Sequence, residues 1–87
     1  MEETMNLAND HGTLRNRRIF LGLTQQAVAD RAKIPLQSYQ HFESGKRHIR
    51  RASFQIACKV IEALEMDISA FYHGEQKTDQ AVRDQEY

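Results

Sequence analysis

Tryptophan is absent, cysteine and proline occur once each, and there are only four glycines. Cys58 stands alone, so no internal disulfide can staple the fold, and a reducing compartment suits it. No apolar run approaches the 18 or so residues of a membrane span, and the acidic, polar start MEETMNLANDHG has no signal-peptide pattern. A soluble, cytoplasmic protein with no membrane association is expected. The four histidines, His11, His41, His48 and His73, match no metal-ligand spacing, so neither metal nor cofactor is expected. There is no Ser-His-Asp order and no glycine-rich phosphate loop, and the carboxylates gather towards the chain ends; no enzyme is expected.

What remains is one domain's worth of chain: 87 residues, 40% of them hydrophobic, the composition of an ordinary helical globule. The formal net charge is zero, but its distribution is uneven. Between Thr13 and Ser53 nine basic residues face two acidic ones, a net of +7; the rest has three basic residues against ten acidic, a net of −7. A basic middle segment of this kind is an electrostatic footprint for nucleic acid.

The hydrophobic pattern gives five helices and no strand. Residues 1–12 lack apolar periodicity and read as a flexible N-terminal arm. From Thr13, Leu14, Arg18 and Leu21 follow helical spacing, and Gly22 suits a left-handed helix end. Thr24 is placed to cap a second helix over 25–32, with Val28, Ala29 and Ala32 inward. After the break Lys33-Ile34-Pro35 a third helix runs over 36–43, stopped by Ser44-Gly45. Ser53 caps the longest helix, 54–66, whose stripe is Phe54, Ala57, Val60, Ile61 and Leu64, with Cys58 a small core residue beside it. Asp67 caps a last short helix. Residues 74–87, GEQKTDQAVRDQEY, read as a polar mobile tail, leaving 13–73 as the domain.

The third helix, LQSYQHFESGKR with its flank, carries the functional signal. At about 100° per residue, Leu36, Gln37, Gln40 and His41 share one side, while Tyr39, Phe42 and Glu43 fall on the other. Amides donate and accept at once, as adenine's N6 and N7 require; imidazole donates to guanine, and an aliphatic group meets the thymine methyl. Gln25 at the start of the second helix, with Arg47, Arg50 and Arg51 after the third, are candidates to hold phosphates.

The span from Leu14 to about Gly74 resembles the lambda-repressor-like helix-turn-helix domain of the Cro and Xre type. The carrying residues are RRIFLGLTQQAVADRAKIPLQSYQHFESGKR: Leu23-Thr24-Gln25 opening the second helix, Val28-Ala29 within it, and Glu43-Ser44-Gly45-Lys46 closing the recognition helix. The resemblance implies an all-α, compact five-helix bundle that binds double-stranded DNA with helix 36–43 in the major groove. It implies base reading by Leu36, Gln37, Gln40 and His41, phosphate contacts from Gln25, Ser44 and Lys46, and a partly buried ion pair between Arg18 and Glu43. Two positions depart from the family pattern. Lys33 stands where a glycine is usual, so a positive φ or a different turn is expected. Pro35 replaces the usual Ser or Thr cap.

Met66, Ile68, Phe71 and Tyr72 are much apolar surface for the end of a small bundle, and a homodimer interface is expected there. Two recognition helices related by a twofold would read a palindrome, as a transcriptional repressor or autoregulator does. The alternative is a protein-interaction or antitoxin-type module on the same fold, favoured by the zero net charge and disfavoured by the basic middle segment. RNA is disfavoured because no exposed aromatic platform interleaves the basic residues.

Overall fold

The computed structural model describes residues 2–74, with side chains from Asp10 onward. The elements are α1 (Glu2–Phe20), α2 (Gln25–Ala32), α3 (Leu36–Ser44), a 3-10 turn (Ile49–Arg51), α4 (Phe54–Ala63) and α5 (Ile68–His73). There is no strand among the described residues.

Local chemistry sets most boundaries. The hydroxyls of Thr24 and Ser53 accept from the backbone N–H of Ala27 and Ile56, at 3.0 and 3.1 Å, and the Asp67 carboxylate accepts from Ala70 at 2.8 Å. Each satisfies one of the orphan donors in a first helical turn. Gly22 ends the turn after α1 at φ 73°, a conformation that costs a side-chain-bearing residue more.

Two boundaries differ by more than one residue from those the sequence pattern predicts, while α3 runs one residue further, to Ser44. Helix α1 starts at Glu2 rather than Thr13, so the segment expected to be a free arm continues the helix. Asp10, within that segment, is buried and bonded to Arg50, a contact 40 residues distant that apolar periodicity cannot reveal. Helix α4 ends at Ala63 instead of Met66. The freed carbonyls of Ala63, Leu64 and Glu65 are taken by Arg31 and Arg17, at 2.9–3.1 Å, a tertiary cap on the helix end. The tail expected over 74–87 lies outside the described residues beyond Gly74.

The core joins all five helices and the 3-10 turn: Leu14 from α1, Val28, Ala29 and Ala32 from α2, Tyr39 and Phe42 from α3, and Ile49 from the turn. Val60, Ile61 and Ala63 of α4, Leu64 just after it and Phe71 of α5 complete it. The alanine-rich face of α2 lets α4 approach closely, and these two helices share the most extensive contact among the described elements. Phe54, expected on the inward stripe, is instead 80% exposed because no element among the described residues covers the first turn of α4. Phe71, expected at a surface interface, is 2% exposed; the phase of short α5 turns it into the core and leaves Tyr72 outside.

The turn between α2 and α3 closes through Lys33 at φ 59°, ψ 45°, where its N–H bonds the carbonyls of Ala29 and Asp30. A β-carbon in that conformation costs about 1–2 kcal/mol, and glycine's extra chain entropy returns part of it. Lys33→Gly is therefore expected to stabilise the protein by about 0.5–1 kcal/mol. Urea unfolding should show a higher midpoint at unchanged slope.

Candidate nucleic-acid interface

Helix α3 rests on α1 and α2 by one side only. Tyr39, Phe42 and Glu43 are buried there. On the opposite side Gln37, Gln40 and Ser44 are exposed, while Leu36 and His41 are half-buried and Leu36 also packs against the core. Pro35 precedes the helix in an extended conformation and provides no side-chain cap. Gly45 ends it at φ 87°, and the ring of His11 lies 3.4 Å from where a Cβ would stand, so both backbone and space favour glycine here.

What holds this helix is one carboxylate. The Glu43 side chain is 4% exposed, and its two oxygens accept four hydrogen bonds. Arg18 donates from Nε to Oε2 at 2.7 Å and from Nη2 to Oε1 at 2.9 Å. The Tyr39 hydroxyl donates to Oε2 at 2.6 Å, and Gln25 Nε2 to Oε1 at 2.8 Å. Arg18 also donates to the Leu23 carbonyl at 2.9 Å, tying the α1–α2 turn into the same network. Burial pushes the Glu43 carboxyl upward, but the bonds from Arg18, Tyr39 and Gln25 outweigh it and hold its pKa below the ordinary value. Bonding to Glu43 raises the Arg18 pKa against the effect of burial. Burial, then the bond to the Glu43 carboxylate, pushes the Tyr39 phenol up, so it remains a donor.

The ion pair implied by the family resemblance is thus present, and Tyr39 and Gln25 are further members that the sequence reading did not include. Tyr39 and Glu43 are four residues apart on one helix, the spacing at which side chains meet; that signal was available. The Gln25 amide gives one N–H to Glu43, and its oxygen accepts from Gln40 Nε2 at 3.2 Å. These two bonds use one of its N–H groups and its oxygen, and its second N–H takes part in neither.

The basic residues divide sharply. Arg50 was expected to hold phosphate, but all its nitrogens point inward: Nε to Asp10 Oδ2 at 2.6 Å, Nη1 to the Tyr72 carbonyl at 3.0 Å, Nη2 to the Phe71 carbonyl at 2.8 Å. It also lies over the Phe71 ring, 4.9 Å from its centre. Arg50 is a clamp joining α1, the 3-10 turn and α5, with each of its nitrogens engaged inside the protein rather than offered to a phosphate. Arg17, Arg18 and Arg31 are likewise engaged with the protein itself. Arg15, Lys33, Lys46, Arg47 and Arg51 remain exposed. Of these, Lys46, Arg47 and Arg51 follow α3 directly, with the Arg47 guanidinium 5.4 Å from the centre of the Phe42 ring. The Ser44 hydroxyl donates to the His41 carbonyl and accepts from the Lys46 N–H, both at 3.3 Å, which shapes the exit from the helix. No group of side chains that could hold a metal occurs among the described residues, and no helix there is long and apolar enough to cross a membrane.

Two short helices joined by a tight left-handed turn, the second presenting a polar face, define a helix-turn-helix protein. The helix-turn-helix family model matches residues 14–71, two thirds of the chain. The chain belongs to that family, the Cro/C1-type, Xre-like domain of DNA-binding transcription regulators. No curated protein and no solved structure matches it.

Removing Arg18 would strand a buried charge, so Arg18→Ala is expected to cost about 3 kcal/mol of stability, with the base preference of the folded fraction unchanged. Arg50→Ala should likewise lower the melting temperature and leave the salt dependence of DNA binding untouched. Because the folded-state pKa of Glu43 is depressed, its stabilisation is complete above the ordinary glutamate range and is lost as pH falls through and below it. Acid unfolding of Glu43→Gln, monitored by circular dichroism, should lack that component of the pH dependence.

Proposed function

We propose that the protein is a cytoplasmic, sequence-specific repressor or autoregulator that places α3 in the major groove of a palindromic operator. The observation that carries this reading is the exposed amide face of Gln37 and Gln40, with His41 and Leu36 at its margins, mounted on a helix whose other face is anchored by Glu43. Exposed amides held in place, beside exposed Lys46, Arg47 and Arg51, are what direct readout plus phosphate contact require. Ser44 and the free N–H of Gln25 extend the phosphate-facing rim.

Reading a palindrome needs two copies. An apolar groove of about 340 Å³ runs between the 3-10 turn, α4 and α5, lined by Phe54, Ala57, Cys58, Ile61, Ile68 and Tyr72 among others. Phe54 and Tyr72, 80% and 71% exposed, stand at it. A second copy of the chain meeting there, with Met66 and Ile68 nearby, is the dimer we favour. The same groove supports the alternative of a protein-interaction module, in which another protein takes that place and DNA binding is secondary.

Selection of random duplex DNA by the purified protein is the direct test. An enriched palindrome with half-sites about one helical turn apart is expected; a folded protein that enriches nothing favours the interaction module. Gln37→Ala and His41→Ala should each relax preference at one base pair by about 1–3 kcal/mol. Lys46→Ala or Arg51→Ala should weaken all sequences alike and reduce the log–log salt slope by about 1.

A further inference from the structure

We propose that Gln25 is a positioning residue that fixes the direction of the Gln40 amide and thereby the base that Gln40 prefers. The inference rests on the reading of Gln40 as a base contact. A carboxamide has a donor end and an acceptor end, and turning it end for end exchanges what it offers to a base edge. On a solvated helix both directions are open.

Here the direction is dictated from the core outward. An ionised carboxylate only accepts, so Gln25 must turn its Nε2 to Glu43, which it does at 2.8 Å. The Gln25 oxygen then faces α3, and only the donor end of Gln40 can meet it; Gln40 Nε2 does so at 3.2 Å. One N–H of Gln40 is thereby held, leaving the other N–H and Oε1 outward in a defined order. That donor–acceptor pair suits adenine N6 and N7, and the reversed amide would lose its bond to Gln25. The relay runs from Arg18 through Glu43 and Gln25 to an exposed amide, and crosses from α1 to α3 by way of α2.

The test compares Gln25→Met, Gln40→Ala and the double variant on the selected operator and on operators changed at each base pair, with thermal unfolding in parallel. Methionine has similar length and cannot make either bond, while Arg18 and Tyr39 still satisfy Glu43; Gln25→Ala serves as a second variant. The pair read by Gln40 is the one whose preference relaxes in Gln40→Ala. Gln25→Met is expected to lower discrimination at that pair alone, roughly three- to tenfold, and to have no further effect on it in the Gln40→Ala background. A uniform loss over all sequences with discrimination at that pair unchanged, or an equal change in discrimination with and without Gln40, would overturn the relay and leave Gln25 a phosphate contact alone. If Gln40→Ala changes no base preference, the base-contact reading of Gln40 is itself overturned, a result distinct from the previous one.

Discussion

Glu43 lies with its side chain 4% exposed, and an ionised carboxylate in such a place costs several kcal/mol unless its lone pairs find donors. The donors come from three helices: Arg18 from α1, Gln25 from the first turn of α2, Tyr39 from α3 itself. Each must be at hydrogen-bond distance at once, so the carboxylate fixes the mutual placement of the three helices as well as the position of α3. Apolar contacts from Tyr39 and Phe42 supply attraction without direction. The bidentate guanidinium supplies direction, since its planar fork meets the two carboxylate oxygens in one orientation. The geometry of the exposed face follows from what is bound on the hidden one.

The other arginines show the same division of labour. Arg17 and Arg31 take the carbonyls at the end of α4, and Arg50 takes those of α5 together with Asp10. A guanidinium with five donors adds bonds at helix ends that the local caps Leu64 and Gly74 close only in part. One consequence concerns the charge pattern. Nine basic residues between Thr13 and Ser53 suggest a strongly positive surface, yet Arg17, Arg18, Arg31 and Arg50 are bonded to the protein's own oxygens, and the exposed remainder is Arg15, Lys33, Lys46, Arg47 and Arg51. The charge asymmetry of the sequence is thus partly a record of internal bonding, and the surface that remains basic is concentrated after α3.

Where a structural cause acts within a few residues, the sequence made it legible. Thr24, Ser53 and Asp67 are caps as their positions indicate, Gly22 and Gly45 take the left-handed conformation, and the two faces of α3 follow from its phase. Lys33 adopts the positive φ that its place in the turn demands. Where the cause lies far along the chain, it was not legible. Asp10 and Arg50 are 40 residues apart, and Arg17 lies 47 from Leu64; no periodicity links such pairs. Phe54 and Phe71 were misplaced for a related reason. Helical phase assigns a direction to a side chain, but whether another element stands there is a property of the assembled bundle. For the candidate interface, the side of α3 turned away from the core was legible as a face, whereas the half-burial of Leu36 and His41 and the engagement of Gln25 with Glu43 and Gln40 were not.

Helix α3 has nine residues, starts without a side-chain cap and is too short to be stable alone in water. Its order is therefore tertiary in origin, taken from Tyr39, Phe42 and Glu43. This has a functional sense. A side chain that reads bases loses rotamer freedom on binding, and affinity improves when that loss has already occurred in the free protein. Gln40 is restrained by its bond to Gln25, and Gln37, with no such bond described, is the freer of the two. The two amides on one face thus differ in how firmly the free protein holds them, and the ordering cost of any contact they make falls more on Gln37 than on Gln40.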